Sequence, residues 1–169
     1  MAKCKWCSRS GLFLITDKDG LCNNCVETIG NVAINKLNIL QMNEKVIERT
    51  ENIDKIISKS ELNLEILSDF IKYENKGIRI FSLPIKEAIP GTCKETDDRI
   101  RMITNRHYSR IYYNAGQIET KKAKAELIQE YKIEIDKVIS YLDRRKIKND
   151  NLKKKLLEQY NTLLNSFVK

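Results

Sequence analysis

Apolar residues recur three and four apart over most of the chain. Val26, Ile29, Ala33, Leu37 and Leu40 are followed by Val46, Ile53, Ile57, Leu64, Leu67 and Ile71, the spacing of a helix that buries one face. No proline falls between Val26 and Tyr73, and only Gly30 interrupts. An unbroken helix of that length would extend about 75 Å at 1.5 Å per residue, so the stretch is expected to fold back. No strict heptad survives past Val46. The pattern therefore reads as a bundle helix kinked near Ser58–Ser60, with an extended coiled coil as the second reading.

The sequence "ENKG" closes this stretch, with Gly77 suited to a left-handed helix cap. In "IRIFSLPIKEAIPGT", Ile78, Ile80, Leu83, Ile85 and Ile89 suggest an apolar connector packed on the helices, with a single turn opening at Pro84 and a second break at Pro90-Gly91. Thr92 and Glu95 have the spacing of a capping box, which predicts a helix from Thr92 to about Tyr113. "NAG" at Asn114–Gly116 predicts its end. A further helix is expected over about Glu119–Arg145, with Ile128, Ile135, Val138, Ile139 and Leu142 inward. "KNDN" reads as a turn, and Leu152–Phe167 as a last helix. The fold class is mainly α: a small N-terminal finger followed by a helical bundle with long helices.

Composition agrees with this reading. Of 169 residues, 32% are charged and 7% aromatic, with two prolines and six glycines, too few turn formers for a sandwich or barrel. The formal net charge is +8, and it is uneven. Residues 1–30 carry an excess of one positive charge, residues 31–91 none and residues 92–169 seven. An anionic partner would be sought on residues 92–169. No secretory signal, transmembrane run or prenylation box is evident, so a reducing, cytoplasmic setting is expected. There, paired cysteines serve more often as metal ligands than as disulfides.

Four of the five cysteines lie in "CKWCSRSGLFLITDKDGLCNNC", as two Cys-x-x-Cys pairs: Cys4 with Cys7, and Cys22 with Cys25. A redox dithiol, a disulfide pair and an iron centre are the competing readings. Two pairs with a hairpin between them favour one structural zinc ion in a closed four-thiolate shell. Gly11 would permit a sharp exit from the first knuckle, "LFLI" reads as a short strand, and "TDKDG" as a hairpin turn with Gly20 at positive φ. The second pair then falls at the start of the long helix, whose N–H groups favour thiolate. Trp6, Leu12, Leu14 and Leu21 are the expected core. This knuckle, hairpin and helix start resembles a treble-clef zinc finger. "CxxC…GLFL…GLCxxC" is also similar to small zinc modules that open many uncharacterised proteins of low-GC Gram-positive bacteria and their phages. The resemblance covers about residues 3–30 and implies the fold, the metal and a phage or mobile-element origin; residues from Val26 onward match no family by eye. The expected organisation is a zinc module at 1–30, a long helix with its connector at 31–91, and a basic helical region at 92–169.

"RIRMITNRHYSRIYYN" combines arginines with aromatics. Arg99, Arg106 and Arg110 can share one helical face, with Tyr112 beside it, while Ile100, Ile103, His107 and Ile111 form an inner face. The arginines read either as an ordinary solvated face or as a phosphate- or acid-binding surface. On both readings their replacement leaves stability nearly unchanged. His107 and the fifth cysteine, Cys93, at an expected helix start, read as packing residues. No P-loop, dinucleotide fingerprint, His-Glu-x-x-His or nucleophile elbow is present. The expected function is non-enzymatic binding through protein docking, with nucleic-acid binding by the basic half as the alternative and a phosphate-handling enzyme as the weaker rival. Neither a membrane partner nor a small-molecule substrate is expected; a homo-oligomer is compatible with the sequence.

Overall fold

The computed structural model describes residues 2–81, 84–145 and 149–169. Of the expectations above, Leu83 and part of the "KNDN" turn lie outside them. The order is β1 (Ala2–Lys3), β2 (Ser10–Gly11), α1 (Asn23–Arg49), α2 (Ile53–Glu74), α3 (Ile85–Gln117), α4 (Lys121–Arg144) and α5 (Asp150–Phe167). The protein is thus mainly helical, with a two-stranded antiparallel hairpin at its N-terminus. Two compact units are formed. The first comprises Met1–Val46 and Lys59–Thr92, the second Ile47–Ser58 and Cys93–Lys169.

In the first unit, α1 and α2 bury Ile29, Ala33, Ile66, Leu67, Phe70 and Tyr73, joined by Leu21, Ile78 and Ile85. Within this apolar interior sits one amide pair. Asn43 Nδ2 donates to Asn63 Oδ1 at 2.8 Å, and Asn63 Nδ2 has no partner among the described residues. Lys36 and Lys72 both reach Asp69, and these hydrogen bonds, Lys36 first, hold the Asp69 carboxyl below its ordinary range. Helix α2 ends as expected. Gly77 takes φ 73 while the N–H of Ile78 reaches the carbonyl of Tyr73 at 3.0 Å, closing the helix through a left-handed residue.

The second unit packs α4 and α5 with α3, the last turn of α1 and the first of α2. Ile100, Ile103, Ile128, Tyr131, Ile135, Val138, Leu142, Leu156 and Leu163 are at most 1% exposed. Thr120 caps α4 by accepting the Ala123 N–H, and Asn149 caps α5 by accepting that of Leu152. Both helices fall close to where their periodicity places them.

Three expected boundaries move. The chain does not kink at Ser58–Ser60, where α2 runs through; it breaks at Thr50–Asn52. Asn52 then caps α2, its Oδ1 accepting the Lys55 N–H at 2.9 Å, the geometry that satisfies an orphan donor. Pro90-Gly91 does not break the chain, because α3 begins at Ile85 and contains both residues. Pro84 opens this helix rather than a lone turn, its carbonyl accepting the Glu87 N–H at 2.9 Å. Thr92 is accordingly no cap; its hydroxyl donates to the Ala88 carbonyl at 3.1 Å. Cys93 lies inside α3 instead of opening a helix. The break expected at Asn114–Gly116 falls after Gln117, since fully buried Ala115 keeps that turn packed. Among the described residues no helix is long and apolar enough to cross a membrane.

Candidate metal centre

The four paired cysteines converge. Their sulfurs all lie within 4.8 Å of one another, and Cys7 Sγ stands 3.9 Å from Cys22 Sγ. Four thiolates around one tetrahedral ion at about 2.3 Å would be spaced about 3.8 Å apart, so the cluster fits a metal ion held by Cys4, Cys7, Cys22 and Cys25. All four thiols are free. Cys4, Cys22 and Cys25 are buried and Cys7 is exposed, which leaves an entry path on one side.

Local backbone builds the first pair. Cys4 accepts the Ser8 N–H through its carbonyl at 3.0 Å, and its own N–H reaches the Arg9 carbonyl at 2.8 Å. The sharp exit falls at Ser8, at φ 61, and not at Gly11, which sits in β2. The second pair follows a tight hairpin. Thr16 bridges to Cys22, and the Asp17 carboxylate accepts the N–H groups of Asp19 at 3.0 Å and Leu21 at 2.8 Å. Gly20 has φ 78, a left-handed backbone that glycine adopts without strain, and a Cβ there would have to displace the Lys5 side chain. The cluster's environment separates its thiols. The backbone N–H of Cys22 donates to Cys4 Sγ at 3.4 Å; this bond and that of Cys7 lower the Cys4 pKa to about 6. Burial, together with the neighbouring sulfurs, pushes the Cys25 thiol up to about 12. Cys4 therefore ionises before Cys25, and a cation would have to draw the proton from Cys25.

The expected core and strand need correction. "LFLI" is not a strand: Leu12, Phe13 and Ile15 are 82%, 96% and 75% exposed, so Leu12 is no core residue. The short strands lie on either side of the first knuckle instead. Leu21 is buried, and Trp6 and Leu14 are partly so. The cysteines share their core with Ile29, Ile66, Leu67 and Phe70. Trp6 stacks on Tyr73 at 4.7 Å, with Lys76 Nζ 4.4 Å above the indole. Tyr73 was visible in the sequence only as the last residue before the cap.

The basic candidates disperse within the second unit. Arg99 donates to the Ile47 carbonyl at 3.1 Å and that of Thr50 at 2.7 Å, satisfying the C-terminal end of α1. Arg106 pairs with Glu51. Arg110 is exposed. Tyr112 packs edge-on against Phe167 at 5.0 Å. The arginines thus cannot all be replaced without consequence. Arg99→Gln is expected to cost about 1.5–3 kcal/mol through its lost charge-assisted bonds, measured by urea unfolding, while Arg110→Gln stays within about 0.5 kcal/mol. His107 Nδ1 meets Glu134 Oε1 at 2.8 Å, a satisfied packing role. Cys93 is buried, and burial raises its thiol pKa, which disfavours reactivity.

Comparison with protein-family models, with curated proteins and with solved structures found no match for this chain.

Proposed function

We propose that this chain is a non-enzymatic binding protein, built around one structural zinc ion and acting by docking on another protein. The four-sulfur cluster carries the zinc reading. It offers thiolates alone, fills four positions and so leaves none for a substrate. When bound, zinc would supply a cross-link that thirty residues cannot replace with an apolar core, while Lys3, Lys5 and Arg9 offset part of the site's negative charge. Elemental analysis of the purified protein should give one zinc per chain; a folded metal-free protein would refute it.

Docking is supported by α1. This helix leaves the metal cluster and keeps Ile39, Met42 and Val46 at 43%, 66% and 36% exposure. Spaced three and four apart, they form one face, and such a face marks interaction surfaces. With nuclease-treated lysate, the zinc-loaded protein should retain a partner that the double variant Met42→Glu, Val46→Glu releases. Reconstitution with that purified partner should then show at least about a tenfold loss of affinity, since two buried aliphatic anchors exceed 1.4 kcal/mol.

Nucleic-acid binding is the second reading, favoured by the charge excess of residues 92–169 and by exposed Arg110 and Tyr113 on α3. It predicts a mobility shift whose log–log salt slope is near −0.9 per neutralised duplex phosphate. Arg110→Gln should flatten that slope by about one unit. A shift absent at low salt removes this reading.

A further inference from the structure

Leu12, Phe13 and Ile15 are the three most exposed large apolar residues among those described, at 82%, 96% and 75%. They project from a loop anchored by Cys7 on one side and Cys22 on the other. Leu14, between them, turns inward onto the first unit's core, and its N–H closes the turn on the Gly11 carbonyl at 3.5 Å. The tip is therefore held in place, and ordering it on binding costs little. Its neighbours are polar and exposed: Ser8, Arg9 and Ser10 before it, Asp17 and Lys18 after it. The Asp17 carboxylate is turned back to its own hairpin by two N–H bonds, leaving Arg9 and Lys18 as the flanking cations.

We infer that this tip inserts shallowly into an anionic lipid surface, the apolar side chains entering the headgroup boundary and Arg9 and Lys18 meeting lipid charges. This goes beyond the docking reading and rests on its metal-held module. The sequence expectation of no membrane partner rested on the lack of a transmembrane run and of a prenylation box, neither of which shallow insertion needs. Protein anchors sit at the centre of a patch near 800 Å² per partner; here exposed polar residues surround the tip. A second copy meeting tip to tip would bring the Arg9 and Lys18 of each copy together.

Flotation of the metal-loaded full chain with phosphatidylcholine vesicles, with and without phosphatidylserine, tests it. The protein should float with the mixed vesicles and far less with phosphatidylcholine alone. Leu12→Ser with Phe13→Ser should weaken binding at least about tenfold, and Arg9→Gln with Lys18→Gln by about tenfold or more. These positions are exposed, so metal content and circular dichroism should stay unchanged. Metal-loaded protein that does not float, or a Leu12/Phe13 variant that floats like the parent, overturns the lipid proposal alone. A photo-cross-linker at position 13 that captures protein instead of lipid overturns it too. Protein found folded without metal overturns the zinc reading beneath it.

Discussion

Replacing Cys22 with serine, or stripping the metal with a chelator, is expected to unfold the whole first unit, not just the finger. Cys4, Cys22 and Cys25 lie in one apolar cluster with Ile29, Ala33, Ile66, Leu67, Phe70 and Tyr73. Structural zinc sites contribute about 10–16 kcal/mol of apparent binding free energy in finger peptides, as much as or more than the ~5–15 kcal/mol that stabilises a typical protein. Losing one ligand of four also leaves Cys25 buried among sulfurs without a cation. Hydrogen exchange should show lost protection across residues 2–46 and 59–81, while Ile100, Ile128, Val138 and Leu156 keep theirs, because the second unit has its own core. Loss confined to residues 2–25 would mean that α1 and α2 hold each other without the metal.

The second large effect is expected at Asp97 and Arg145, whose side chains are only 8% and 2% exposed. Arg145 Nη2 donates to Asp97 Oδ2 at 3.1 Å and stands 2.8 Å from Oδ1 as an ion pair without a hydrogen bond to it, and Asn149 adds a further donor to Oδ2. Its guanidinium lies 4.9 Å over the Tyr141 ring. Burial opposes the Arg145 charge, but the Asp97 bond and charge outweigh it, so its pKa is raised. Asp97→Ala strands a buried cation and should cost about 3–5 kcal/mol. Arg145 Nε and Nη1 have no partner among the described residues, so the pair is not an optimal one. Asp97→Leu with Arg145→Met should therefore recover most of the loss. Urea melts of the three variants decide it; a double variant as unstable as Asp97→Ala would show that Asn149 and Tyr141 need the ion pair in place.

What the sequence disclosed was local. The cysteine spacing, Gly20 and Gly77 each announce a geometry that few other residues tolerate, and α4 and α5 repeat their apolar residues cleanly. The break at Thr50–Asn52 carries its own signal: an Asn just before the apolar spacing that resumes at Ile53 is an ordinary cap. Pro90 misled because an interior proline costs about 3 kcal/mol, while α3 is kept by buried Ile85 before it and by buried Cys93 and Ile100 after it. Arg99 could not have been placed, since its acceptors lie about fifty residues earlier in the chain. Leu12 and Phe13 misled for the opposite reason. An apolar run implies a core, yet here the sulfur cluster occupies the place where one would form.

The Asn43–Asn63 pair bears on how the first unit finds its fold. Leu37, Leu40, Ile66 and Leu67 would let α1 and α2 slide past each other with little change in apolar contact. A slip of one turn, about 5.4 Å, would instead leave each amide facing aliphatic carbon, at about 1–3 kcal/mol per stranded group. The bond adds little to the depth of the native state. Its effect is to raise its neighbours, so that of several similar helical hairpins the native one strands the fewest amide groups.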